Sequence, residues 1–251
     1  MLRSLLLTIL ISGWFSSAVA ADSFAEQFER ANRLYEDKDY ASAVQLYQSI
    51  LDQGMESDAL YFNLGNAYFK AGDLGRAVLN YKLASRLAPD NEDIRANLEF
   101  AQQYTSVQME GVQLNPIEGL MEGVVGSQRL DNLAWACAAL FVLTMVLLIL
   151  RFGLAVRTSW LRTLTVAVVL ALVLAGGLTT YKFRHDYVTR RAVIVAGEAP
   201  VYTGPSTQSE LELRGAPGLI VEILDEADGF YNVLFKNKRR GWIAADLVAE
   251  I

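Results

Sequence analysis

The sequence predicts a multidomain protein: an all-α segment of helical hairpins, a transmembrane helical hairpin and an all-β small barrel, in that order along 251 residues. Three observations carry this expectation. Ala31, Leu34, Ala43 and Tyr47 are echoed 34 residues later by Gly65, Tyr68, Ala77 and Tyr81, a period that denotes stacked helix pairs. Leu133 to Leu150 and Thr163 to Tyr181 are apolar stretches of the length that crosses a hydrocarbon core as a helix. From Tyr187 onward, short alternating segments broken by Gly and Pro replace helical spacing. A composition 53% hydrophobic with a mean hydropathy of +0.23 is heavy for a soluble protein, and the spans account for the excess.

The chain opens with an export signal over residues 1–20: Arg3 supplies a positive start, Leu5 to Phe15 an apolar run, and Ala18-Val19-Ala20 the small residues at which a peptidase cuts. The mature chain then begins at Ala21. An uncleaved anchor would export the same segment.

Residues 21–105 form the helical domain. Apolar residues recur at helical spacing on both sides of Lys38-Asp39 and of Gly72-Asp73, which divides each repeat (24–57 and 58–91) into two antiparallel helices. Ala31 with Gly65, and Ala43 with Ala77, permit close helix approach. Pro89 cannot continue a helix interior and ends the second unit. A capping helix follows over 92–104, with Asn97, Leu98 and Ala101 on its apolar side.

These residues resemble the tetratricopeptide repeat, strongly over Asp58 to Asn91, with Tyr61 in place of the usual Trp and Tyr81 of the usual Phe. Over Phe24 to Ser57 the match is weaker, since Gln27 and Arg30 stand where bulky apolar residues are usual. In that family the first helix of each hairpin lines a concave groove, so the resemblance points to Phe28, Asn32 and Tyr35, then Phe62, Asn63, Asn66 and Phe69, then Asn97. Asparagine offers a peptide backbone both an amide donor and a carbonyl acceptor. The competing reading puts these aromatics in the inter-helix core and leaves the asparagines solvated. Members that clamp a terminal carboxylate carry lysines where Phe28 and Phe62 stand, which speaks against that mode. Between Asp22 and Glu99, eight Lys and Arg face fourteen Asp and Glu, a surface that repels nucleic acid phosphates, so no nucleic acid partner is expected.

Residues 106–130 form a linker in which Ile117, Leu120, Met121, Val124 and Val125 fit one face of a short amphipathic helix, lying on a membrane or against the capping helix. Transmembrane helices over 131–150 and 163–181 flank a loop, 151–162, whose Arg151, Arg157 and Arg162 lack acidic company and mark it as cytoplasmic. Both soluble modules then lie on the exported side, although Lys182, Arg184, Arg190 and Arg191 after the second span weaken the asymmetry. Gly176-Gly177 offers a smooth patch for contact with the first span or a partner, with flexibility or chance an equal account. The lone Cys137 reads as apolar packing, and the lone His185 as an interfacial side chain.

Residues 187–251 carry candidate strands at Ala192 to Val195, Pro200 to Tyr202, Leu219 to Leu224, Tyr231 to Phe235 and Gly241 to Ile243, with turns at Gly204-Pro205, Pro217-Gly218, Asp228-Gly229 and Lys236 to Arg240. Val201-Tyr202, Gly229-Phe230-Tyr231 and the closing Arg240-Gly241-Trp242-Ile243 resemble bacterial SH3-like domains. That resemblance implies a wall-peptide or protein-segment face drawn from Tyr202, Phe230, Tyr231 and Trp242, though Trp242 reads first as core and Lys236 to Arg240 as a solvated tip.

The whole order is similar to the BatE family of bacterial aerotolerance-operon proteins, with Asp93-Ile94-Arg95-Ala96-Asn97-Leu98-Glu99 closing the repeats. The similarity implies an inner-membrane scaffold facing the periplasm, working with von Willebrand factor A-type membrane proteins and a MoxR-type ATPase in oxidative or envelope stress. A wall-binding sensor that recognises peptidoglycan through the barrel is the alternative. An enzyme is not expected: beyond His185 and Cys137 the chain has no histidine or cysteine, it pairs no carboxylates in an apolar pattern, and it carries no phosphate-cradling Gly-Lys-Ser/Thr. No metal or cofactor is expected.

Overall fold

The computed structural model describes residues 24–106, 125–126, 128–154 and 158–251. The predicted export signal, and the linker residues Ile117 to Val124, lie outside them.

Five helices open the described chain: α1 over 24–36, α2 (Tyr40–Asp52), α3 (Asp58–Ala71), α4 (Leu74–Leu87) and α5 (Glu92–Ser106). The breaks fall where the turn chemistry requires them. Gly72 sits at φ 86°, a left-handed position that closes α3 without a Cβ penalty. Asp73 then caps α4, its carboxylate accepting from the Arg76 amide at 3.0 Å, as Asp39 accepts from the Ser42 amide at 3.2 Å to start α2. Ala31, Ala43, Ala67, Ala77, Ala84 and Ala101 are fully buried at the helix contacts. Gly65 takes this furthest, because a Cβ there would stand 2.8 Å from the Tyr81 ring.

Two long apolar helices follow, α6 (Leu130–Leu148) and α7 (Ser159–Phe183), each closing in a wider π turn, Ile149–Gly153 and Arg184–Val188. Both are long and apolar enough to cross a membrane, and only 11% and 17% of their apolar windows are buried within the protein. They pack as a hairpin through Leu147, Leu161 and Val168, and Cys137 Sγ lies 3.3 Å from Thr179 Oγ1 across it. The glycine pair does not make this contact: a Cβ at Gly176 or Gly177 would meet nothing within 4 Å. The expected use of that patch against the first span is therefore corrected, the seam being built instead from leucine and valine.

The C-terminal module is a seven-stranded antiparallel sheet, β1 (Arg191–Ile194), β2 (Ala199–Tyr202), β3 (Leu211–Gly215), β4 (Ile220–Ala227), β5 (Phe230–Leu234), β6 (Arg240–Ala244) and β7 (Val248–Glu250), in the order β3-β2-β6-β5-β4-β1-β7. The sheet curls on itself: a Cβ on Gly215 of β3 would collide with the Ile194 side chain of β1, bringing opposite ends of the order together. Ala192, Ile194, Val201, Val221, Val233, Phe235 and Ile243 fill its centre. Strands β3 and β7 were not among those expected from the sequence.

β1 is buried on both faces. Ala192 and Ile194 enter the barrel core, whereas Val193, fully buried, joins Ala77, Val78, Tyr81, Leu98 and Ala101 of the repeat domain. Ile220 and Ile251 extend the same cluster. The barrel is thus docked on α4 and α5, where it covers apolar surface that a further helix would otherwise have to bury.

Candidate functional site: the repeat groove and the barrel face

The eight groove candidates are all half-buried, and the structure organises them into a polar node that occurs twice. In the first, Asn32 Oδ1 accepts from the Tyr47 hydroxyl at 2.6 Å and from Asn63 Nδ2 at 3.0 Å. In the second, Asn66 Oδ1 accepts from the Tyr81 hydroxyl at 2.7 Å and from Asn97 Nδ2 at 2.9 Å. Every member is displaced by 34 residues from its counterpart, so the sequence period is also a hydrogen-bond period. Phe28 leans on Tyr47 and Phe62 on Tyr81, with ring centroids 5.8 and 6.0 Å apart.

This settles what the asparagines do first. Their mutual bonds tie α1 to α3 and α3 to α5, fixing the curvature of the stack, so neither all eight residues nor all amide capacity is left for a ligand. The solvated-asparagine reading is corrected for the same reason: a buried tyrosine hydroxyl needs a partner, and asparagine supplies it. What remains for a ligand is Asn63 Oδ1, Asn97 Oδ1 and Asn66 Nδ2, which have no hydrogen-bond partner among the described residues.

Burial pushes the Tyr47 hydroxyl up to about 12, and it raises Tyr81 in the same way. The sign follows from the neutral form being the stabilised one. The node's contribution is complete below about pH 10, the ordinary tyrosine value, and is lost as pH rises through 10 to 12. An alkaline titration should show loss of helical signal in that window, and Tyr47→Phe should lower stability at neutral pH by about 1 kcal/mol while removing part of the alkaline loss.

Sequence reasoning missed two members of this surface. Phe100 and Tyr104 of α5 pack on Phe69 with centroids 5.7 and 5.9 Å away, yet remain 49% and 54% exposed. With Asn97 they fall at i, i+3 and i+7, one face of a helix, and that spacing was the available signal. Tyr35 leans at a tilt on Tyr40 at 5.4 Å and packs against the first repeat's core.

On the barrel, Tyr202, Trp242 and Asn232 are cross-strand partners on β2, β6 and β5, and Phe230 meets Tyr202 edge-on at 6.4 Å. Trp242 is half-buried on this outer face rather than core, a correction that pleat alternation explains, since its neighbours Gly241 and Ile243 are the buried ones. Tyr231 leaves the predicted set: it points to the opposite side, its hydroxyl donating to Glu250 at 3.1 Å under the Arg190 guanidinium. Asn232 joins the face in its place, and its Oδ1 is buried without a hydrogen-bond partner.

His185 lies between a carboxylate and a guanidinium, with Nδ1 2.9 Å from Asp186 Oδ1 and Nε2 3.0 Å from Arg191 Nη1. Among the described residues no three His, Cys, Asp or Glu side chains converge as a metal site would require.

Residues 34–98 match the family model of the tetratricopeptide repeat. That span runs from the end of α1 into α5 and contains Asn63, Asn66 and Asn97. Repeats of this family generally serve as scaffolds for protein–protein contact. A search of curated proteins found none that matches the chain.

Proposed function

We propose that the protein is a membrane-anchored scaffold whose repeat groove holds an extended segment of an exported or membrane partner. The observation that carries this reading is the remainder of the two nodes: amide groups of Asn63, Asn66 and Asn97 beside the half-buried Phe69 and the exposed Phe100 and Tyr104 that pack on it. Polar groups for a peptide backbone then alternate with an apolar seat for its side chains. The acidic balance of the repeats favours a basic or neutral segment.

Membrane anchoring is supported by exposed aromatics at both ends of the hairpin: Trp135 and Tyr187 are 75% and 65% exposed near one end, Phe152 and Trp160 72% and 64% near the other. Amphipathic rings concentrate at headgroup level. Three of the four basic residues that weaken the charge argument for export are engaged within the fold: Lys182 pairs with Asp186 at 2.9 Å, Arg190 with Glu250 at 2.7 Å and Arg191 with His185. This favours the orientation in which the Arg151 to Arg162 connector is cytoplasmic and both modules are periplasmic. Within that frame the BatE-like role, an aerotolerance or envelope-stress assembly with von Willebrand factor A-type membrane proteins and a MoxR-type ATPase, is the partner set to test first.

The second reading, a wall sensor, is favoured by the aromatic face of Tyr202, Phe230 and Trp242, beneath which Asn232 Oδ1 is buried without a hydrogen-bond partner. One experiment separates the two. With a photo-crosslinking residue at Tyr104 in the full chain in native membranes, a discrete protein adduct that Asn97→Ala abolishes is expected. No adduct, together with co-sedimentation of the full chain with wall sacculi that Trp242→Ala abolishes, would transfer the function to the barrel.

A further inference from the structure

A cavity of about 180 Å³ opens where the repeat domain, the start of α6 and the end of α7 meet. Its walls hold Lys82, Arg86, Arg129, Lys182 and Arg191 against two aspartates, Asp131 and Asp186. Asp186 is already taken up: Lys182, only 6% exposed, pairs with it at 2.9 Å and donates to the Gly126 carbonyl at 3.0 Å, and His185 holds its other oxygen. Arg86, which stands with Lys82 one turn apart on α4, and Arg129, at the start of α6, have no carboxylate within salt-bridge distance among the described residues. A second cavity of about 300 Å³ shares Lys82, His185 and Arg191 and adds Lys236 and Lys238.

We propose that this cavity binds the phosphate of an anionic phospholipid. The inference rests on the reading of α6 and α7 as membrane spans. Its location is the first argument. Leu130 and Asp131 belong to the first turn of α6, and Lys182 to Tyr187 to the last turns of α7, so the cavity lies at the depth of the headgroups when both helices span. Charge is the second. Guanidinium groups pair with phosphate oxygens through parallel N–H donors, and Arg86 and Arg129 bring two such groups to that depth with no carboxylate among the described residues to hold them. An apolar tail suits the occupant too, since Tyr187 on the cavity wall is exposed and stacks on the exposed Phe183 at 5.5 Å, and Trp135, one turn along α6 from Asp131, is exposed as well. A phosphodiester with acyl chains supplies both parts. Such a lipid would bridge α4 of the repeats to the hairpin and hold the scaffold at a fixed height above the bilayer.

The test is native mass spectrometry of the full chain released from nanodiscs of phosphatidylcholine doped with phosphatidylglycerol. Selective retention of phosphatidylglycerol is expected, reduced by about two factors of ten by Arg86→Gln with Arg129→Gln, because each tenfold change corresponds to about 1.4 kcal/mol and each lost charge-assisted bond is of that size. Arg86 is exposed, so Arg86→Gln alone serves if the pair fails to fold, and a smaller reduction is then expected. Equal retention by variant and parent overturns the proposal. Displacement of the lipid by millimolar glycerol phosphate as readily as by phosphatidylglycerol also overturns it, in favour of a soluble anion. Release of the chain from membranes by alkaline carbonate would instead sink the membrane reading, a failure that headgroup-blind binding by an integral chain does not mimic.

Discussion

Gly65→Val is expected to unfold the second repeat locally. Glycine inside a helix is less favourable than alanine by up to about 1 kcal/mol, and α3 keeps one because a Cβ at that point would stand 2.8 Å from two carbons of the Tyr81 ring. The ring cannot retreat: it is 2% exposed, leans on Phe62, and its hydroxyl is tied to Asn66 at 2.7 Å. Valine must therefore push the helices apart, an overpacking effect of about 1–3 kcal/mol, and stretch a buried hydrogen bond contributing about 1 kcal/mol. The loss should appear as faster hydrogen exchange across α3 and α4, with the amides of β4 to β6 unchanged. Unaltered exchange in α4 would mean that the helix contact is looser than the geometry implies.

That contact shows why the repeat was legible in the sequence. Spacing of 34 residues, the left-handed Gly72, the Asp39 and Asp73 caps and the buried alanines are local statements, each decided within a turn or two of chain. The barrel was less so. β3, Leu211–Gly215, is largely exposed at the sheet edge and alternates charge with leucine, and β7 is three residues long, so neither carries a strong apolar pattern. The site was only half readable. The family resemblance pointed to the asparagines, but not to their acceptors turning inward to the tyrosines 15 residues on. Pleat parity places Trp242 outside once Gly241 and Ile243 on either side of it are known to be buried.

The docking of barrel on repeat was hidden for a different reason. Its signals were present: Ala192-Val193-Ile194-Val195 is a continuous apolar run of the kind a strand buried on both faces requires, and Gly75 is a glycine placed in the first turn of a helix. Neither says what the second face touches, because the two partners are separated by the membrane hairpin.

Gly75→Val is accordingly expected to separate two folded modules. A Cβ at Gly75 would come within 2.8 Å of the Ile194 carbonyl oxygen and the Val195 Cα, and backbone atoms held in a sheet cannot step aside as a flexible side-chain end would. Gly218, at φ 82°, is also tightly faced, a Cβ there standing 2.6 Å from the Thr105 methyl and 3.1 Å from a Val78 methyl, so the adjoining part of the interface has little slack to absorb the shift. Undocking exposes the fully buried Val193, at about 1.5–3 kcal/mol for such an aliphatic side chain, and the partly buried Ile220 at less than that. The barrel core contains no repeat residue, and the first repeat's core contains no barrel residue, so both persist. Because Cys137 is the chain's lone cysteine, replacing it with serine allows spin labels at Lys70 and Asn237. The parent should give a narrow inter-label distance distribution and Gly75→Val a broad one. A narrow distribution in the variant would show that something other than this glycine-lined contact, the membrane hairpin above all, sets how the two modules sit.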